Sequence, residues 1–468
     1  MLKRSRLLII FLVILTAWFA LINLEKEKAS SIEVCLASVI YFVCCIPVLI
    51  SFGRSKKAIP YLPVLGIIYF IFYSLPIFNA YDLFIIEGLS RITITRCLYL
   101  SLWGFVSLLL AFYTPLGNMA DLIKKRIDIP WDDHKAYWLG VSLGFMGLVF
   151  QYFNLGKFLP PIFNALTVFV VNLSRLGIAV LFILQLHRKL NFRGKVFLWF
   201  GLFIPKASLD LITGSVFHLV IDFMIIFFLY FYYRRSIPWV RLIVGSLILF
   251  VIFSARDQYR KIIWFDDYYR DVSSADKAAL YFKLIFLNLS GQGEKQEVQK
   301  YTYDKLSART NSLITFVKTV ELTPAYVPYW KGYTYSTLLT TFAPRFLMPN
   351  KPEKKLGQEF GHRYMLLHDR DLKTAYNLPI LVEMYINFGP WGVIIGMFIF
   401  GLICRIIHVL FDYENIKEGS VLISTLIFVN ILNIESDFSL VFGAIVQYAV
   451  LFYFIAKMMR PSRRVRIA

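Results

Sequence analysis

Apolar runs of about twenty residues recur almost from end to end of this chain, and each is long enough to cross a bilayer as a helix. They fall at 7–24, 32–51, 61–80, 97–115, 136–153, 161–186, 195–212, 215–233, 238–254, 378–410, 419–435 and 439–459. Composition agrees: of 468 residues, 58% are hydrophobic and 17% charged, where a soluble domain carries about 25% charged residues. The expected fold is therefore all-α, a polytopic integral membrane protein of about twelve transmembrane helices. The first run follows a basic start and has no small-residue cleavage site after it, so it reads as an uncleaved membrane helix.

Charge gives the expected orientation. The loops GRSKK (53–57), DLIKKR (121–126), HRKLNFRGK (187–195) and YRR (233–235), with the tail RPSRRVR (460–466), fall on the side shared by both termini. Lys and Arg mark cytoplasmic loops, so both termini are expected in the cytoplasm. That bias also accounts for most of the net charge of +20, and nucleic acid is not an expected partner. Three regions follow: helices one to nine over 1–254, one long extracytoplasmic loop domain over 255–377, and helices ten to twelve with a basic cytoplasmic tail over 378–468. The loop holds 19 Lys and Arg against 13 Asp and Glu, a surplus that cytoplasmic retention does not explain. Within it, 275–289 is patterned as an amphipathic helix suited to a membrane surface, and 297–322 has helical periodicity. Prolines then break regularity from Pro324 to Pro352. The five cysteines have neither metal-ligand nor redox spacing.

Ionisable residues within the apolar runs are candidates for function, since each is costly there. Arg175 falls mid-run, while Lys206 with Asp210 and His218 with Asp222 are spaced i, i+4 on successive runs. These pairs read either as two local ion pairs or as the polar wall of a cavity open to the loop side. Arg256 and Arg260, at the end of the ninth run, read as substrate-binding residues at its rim or as interfacial anchors.

P-loop, dinucleotide, HExxH and GxSxG patterns are absent from the sequence. The acids of HDRD, Asp369 and Asp371, give only a weak metal-binding spacing. The ordered run is 307–389: SARTNSL, then YWKGYTYSTLLTTFAPRFLMPNKPEKKLGQEFGHRY, then YNLPILVEMYINFGPWG. It resembles the bacterial oligosaccharide repeat-unit polymerases, the Wzy-type O-antigen polymerases. The residues that carry the resemblance are Arg309, Gly332 to Tyr335, Pro344–Arg345, Lys351–Pro352, Gly357, Phe360, and Pro379 with Glu383, Tyr385, Asn387, Phe388 and Gly389.

The resemblance implies polymerisation of undecaprenyl-diphosphate-linked oligosaccharides, as donor and acceptor, on the outer face of the bacterial cytoplasmic (inner) membrane. A chain-length regulator and a flippase are the partner proteins it implies. No cofactor and no metal is needed, because the lipid diphosphate leaving group already carries the activation. Arginine pairs bidentately with phosphate oxygens, so Arg309 and Arg345 are the first candidates to stabilise that group, with Lys351 and Arg363 behind them. Glu383, His362 and His368 are the candidates to accept or orient the acceptor proton. Tyr333, Tyr335, Trp330 and Phe346 are placed to stack on sugar rings or to fill the loop's own core. Asn387, grouped with the substrate-binding residues, reads equally as a packing feature with Phe388 and Gly389. The rival functions are transfer of glycan to lipid A core by an O-antigen ligase and transport of the lipid-linked sugar.

Overall fold

A computed structural model describes residues 2–24, 28–53, 59–114, 127–160, 164–212, 216–234, 236, 238–265, 272–290, 312–338, 355–372, 374–411 and 416–461. Every regular element among them is helical. In chain order these are α1 (Leu2–Leu24), α2 (Ser31–Gly53), α3 (Tyr61–Tyr73), α4 (Leu75–Asn79), α5 (Tyr81–Ile86), α6 (Arg91–Tyr113), α7 (Asp133–Tyr152), α8 (Asn164–Leu186), α9 (Phe192–Val196), α10 (Ile204–Ile212), α11 (Val216–Arg234) and α12 (Trp239–Phe265). There follow α13 (Ser274–Ser290), α14 (Ser312–Leu322), α15 (Leu356–Arg363), α16 (Ile380–Phe411), α17 (Glu418–Ile431) and α18 (Phe438–Met458). A π-helical stretch, Phe197–Phe203, joins α9 to α10.

Six helices among the described residues are long and apolar enough to cross a membrane: Ser31–Ser51, Arg91–Tyr113, Phe169–Leu186, Trp239–Arg260, Ile380–Phe411 and Phe438–Met458. Helices suit such a chain because every backbone group must be satisfied internally in lipid. The outward faces are apolar, as on α12, where Trp239, Val240, Ile243 and Leu247 are all exposed. Inside, small residues let backbones close up. A Cβ on Gly177 of α8 would lie 2.5 Å from the carbonyl oxygen of Gly140 on α7.

Contacts between loops gather at two ends. At one end Lys28 pairs with Asp82, Lys318 with Glu87 at 2.6 Å, and the Ser90 N–H donates to Glu321 at 2.6 Å. At the other, Lys189 pairs with Asp133, the Asp132 N–H donates to Met459 O at 2.6 Å, and the Gly419 N–H donates to Ile129 O at 3.1 Å. Here α14 joins the first end, beside the turns that precede α2 and α6.

Two elements depart from the pattern of runs. Arg256 and Arg260 lie within α12, which continues to Phe265 and packs on α13. The run at 378–410 is not one straight span. Gly389 has φ 64 and ψ −150, Pro390 follows, and the chain reverses between them. In a continuous helix, residues eight apart are separated by about 12 Å along the axis. Here a Cβ on Gly392 would overlap the Met384 carbonyl oxygen, and one on Gly396 would lie 2.7 Å from Met384 Sδ. Gly104 of α6 touches both limbs, with Leu381 and Val393 each 3.1 Å from its Cβ position. Residues 380–388 are therefore a short re-entrant limb. Its foot, Ile380 and Leu381, lines a small apolar cavity with Leu108 of the second half of α6, Met397 and Phe400.

Candidate functional site

The tip of this hairpin organises the site. The turn after α14 docks on it through the backbone, Trp330 N–H donating to Ile386 O at 2.8 Å. Lys331 (φ 49) and Gly332 (φ 85) then take left-handed conformations that turn the chain over the tip. Asn387 fixes the turn: its Oδ1 accepts from Gly332 N–H at 2.9 Å, and its Nδ2 donates to Thr334 Oγ1 at 2.9 Å and to Glu383 O at 2.8 Å. With 1% exposure, Asn387 is a strut between two segments of the chain. Tyr335 lies parallel to Phe388, ring centroids 6.2 Å apart, and edge-on to Phe438 at 6.0 Å.

Glu383 is fully buried beneath this turn. Its Oε2 accepts from the Phe438 N–H at 2.6 Å, supplying a partner to one of the free amides at the start of α18. The helix dipole favours an anion at that place. Asp437 caps the same helix, accepting from Leu440 N–H at 3.0 Å. Burial pushes the Asp437 carboxyl above the usual range. Burial, with Glu383 and Asp437 nearby, also raises the Tyr335 phenol. The Oε1 of Glu383 is different. It is buried and has no hydrogen-bond partner within bonding geometry among the described residues, although the Thr334 hydroxyl stands beside the carboxylate. An acceptor left open in a buried place is costly and able to receive a hydroxyl proton.

A second group sits on the exposed side of the turn. Arg363 and Glu359 pair one helical turn apart on α15, and the guanidinium lies 4.5 Å from the centre of the Trp330 ring. Tyr333 is exposed beside them, its phenol raised by desolvation and by the Glu359 carboxylate. His362 is half-buried, and its Nε2 has no hydrogen-bond partner among the described residues. His368 is exposed in the following turn, where Nδ1 accepts from Arg370 N–H at 3.2 Å. Asp371, of the HDRD sequence, closes its own turn by accepting from Thr374 N–H at 2.9 Å.

Of the residues expected at the site, Glu383, Asn387, Tyr335, Tyr333 and Arg363 are gathered around the hairpin tip, with His362 on the same short helix as Arg363. Arg256 and Arg260 belong to the α12–α13 unit, where Arg256 is buried. Arg309, Arg345, Phe346 and Lys351 lie outside the described residues. Sequence reasoning held Thr334 only as part of the Gly332 to Tyr335 stretch, without a role of its own. It missed Asp437, although an acid immediately before the last apolar run is a helix-start signal.

The charges inside the bundle form one network and not two local pairs. Lys206 does bond Asp210 at 2.6 Å, but it also lies 3.4 Å from Asp222 on α11. Asp222 is paired with Arg175 of α8. Gln151 of α7 donates to Asp210 at 3.0 Å, and Asn172 of α8 donates to Tyr448 of α18 at 2.9 Å. Two cations and two anions thus neutralise one another across three helices.

A family model described as a domain of unknown function, DUF8712, matches residues 59–465, and the chain belongs to that family. No curated protein and no solved structure matches the chain.

Proposed function

We propose that this DUF8712 protein polymerises undecaprenyl-diphosphate-linked oligosaccharide repeat units at the outer face of the bacterial cytoplasmic membrane. One observation supports this reading above others. The 330–335 turn and the 379–389 stretch, far apart in sequence and both part of the resemblance, form one hydrogen-bonded unit around a buried carboxylate. In the reaction, the acceptor sugar hydroxyl attacks the anomeric carbon of the donor. The bond from that carbon to the diphosphate oxygen breaks, the lipid diphosphate leaves, and the hydroxyl proton passes to a base. Glu383 Oε1 is the acceptor best suited to that proton, and Arg309 and Arg345 are the proposed partners of the leaving diphosphate. Tyr333 and Arg363 present an aromatic face and a charged edge to the glycan.

The same reading takes the chain across the membrane twelve times, with both termini in the cytoplasm and 255–377 outside. The grouping of loop contacts at two ends supports it, since Lys189 and Arg460 both meet the start of α7 at one end and 87–90 meets α14 at the other. A second reading, transport of the lipid-linked sugar, is favoured by the broken helix at Gly389 and the ion network, both of which transporters use. Purified protein in liposomes, given one defined lipid-linked repeat unit, separates the two. Polymerisation yields a ladder of longer glycans on the lipid. Movement of the unit between leaflets with no ladder would replace the first reading with the second.

A further inference from the structure

We infer that Arg96 on α6 holds the phosphate of a lipid beside the hairpin tip. Exposure along α6 repeats at Ile92, Arg96, Tyr99 and Trp103, a spacing of four, three and four residues that draws one stripe down the helix. Ile92 is 82% exposed, Tyr99 47% and Trp103 55%, so this stripe faces away from the bundle. Arg96 stands in it five residues after the helix begins, about 7.5 Å along the axis. Its stem reaches back toward the interface, and its guanidinium then lies in the headgroup layer.

What sets Arg96 apart is the lack of a partner. It makes no hydrogen bond or ion pair among the described residues, whereas Arg175, also within a span, is held by Asp222 and Asn172. Arg91, one turn nearer the helix start, donates to Lys28 O at 3.1 Å. A guanidinium in the headgroup layer is stabilised most where an anion meets it. The anion available in that layer is a phosphate ester, and the planar fork of arginine suits it. Tyr99 and Trp103 continue the stripe below as an amphipathic aromatic surface on which a lipid chain can lie.

The position also bears on the reaction. α6 packs along the re-entrant limb, with Leu381 3.1 Å from the Cβ position of Gly104, so a phosphate on Arg96 stands on the helix that borders the limb carrying Glu383. With the polymerisation reading, on which this part rests, the ligand that matters is the polyprenyl diphosphate. An ordinary phospholipid headgroup offers the same chemistry.

Native mass spectrometry of the full chain in nanodiscs tests this without depending on chain growth. Three probes are compared: a polyprenyl diphosphate, the corresponding polyprenol, and phosphatidylglycerol. The wild-type protein is expected to retain the diphosphate at least tenfold better than the polyprenol. Arg96→Ala should abolish that preference and Arg96→Lys should restore part of it, with each variant first required to be monodisperse. Loss confined to the diphosphate lipid identifies the carrier as the ligand, and loss confined to phosphatidylglycerol identifies a bulk headgroup; either supports the phosphate site. Retention of both phosphate lipids by Arg96→Ala at wild-type level overturns it. Failure of the polymerisation reading would show in the ladder assay and leave these binding ratios untouched.

Discussion

Glu383 carries two tasks on its two oxygens, and substitutions can separate them. Oε2 satisfies the Phe438 N–H at the start of α18, while Oε1 has only the Thr334 hydroxyl beside it. Glu383→Gln keeps a carbonyl oxygen for the amide but removes the basic group. Loss of a general base costs about 10²–10⁴ in rate, so the Gln variant should lose ladder formation by at least about a hundredfold with little change in melting temperature. Glu383→Leu removes both functions. It leaves a buried amide unpaired, which costs about 1–3 kcal/mol, so this variant should also melt lower in detergent. A Gln variant with wild-type ladders would reduce Glu383 to a helix cap. The sequence made this residue and Asn387 visible because both belong to the run ending in NFG. It did not disclose their division of labour. The contact with Phe438 joins positions 55 apart in sequence, and no local spacing encodes it.

At the scale of elements, most helices were legible from hydropathy, because a run of about twenty apolar residues leaves little choice of structure in lipid. The hairpin was not. Hydropathy counts residues along a run and is blind to the path they take. The local sign of reversal, a Gly-Pro pair at 389–390, was embedded in continuous apolar sequence. Spacing of i, i+4 reports neighbours on one helix: it found Lys206 with Asp210, while Asp222 found its partners on other helices. Gly389 gives the element its test. Its φ 64 and ψ −150 fall where side chains are not tolerated, and a Cβ there would lie 2.8 Å from the Tyr329 hydroxyl. Such strain costs about 1–3 kcal/mol. Gly389→Ala should therefore lower the melting temperature and reduce ladder formation together, because the tip carries the Asn387 strut. Gly245→Ala is the control, within α12 with no positive φ and nothing within 4 Å of its Cβ position. It should melt close to wild type and keep its ladders. Equal behaviour of the two variants would argue against a strained hairpin tip.

For the whole molecule, orientation decides which compartment the site can serve. Lipid-linked glycans are joined outside only if the hairpin end faces outward, and both charge and contact geometry bear on that. The basic loops follow the positive-inside bias, and the loops at each end touch one another, Lys189 with Asp133 and Lys318 with Glu87. Glu87 and Lys189 therefore stand at opposite ends, separated by α6, α7 and α8. On the proposed twelve-span arrangement these are three crossings, which put the two residues on opposite sides of the membrane. A chain with its cysteines replaced, of which Cys44, Cys97 and Cys404 are buried and Cys35 is exposed, provides a clean background. In whole cells, Glu87→Cys should react with a membrane-impermeant maleimide, and Lys189→Cys should react only after the membrane is permeabilised. The reverse pattern would turn the hairpin end toward the cytoplasm, where nucleotide sugars and not flipped lipid-linked units are found, and would remove polymerisation as the reaction. Reaction of both from one side would instead break the count of crossings between α6 and α8, and with it the twelve-span arrangement.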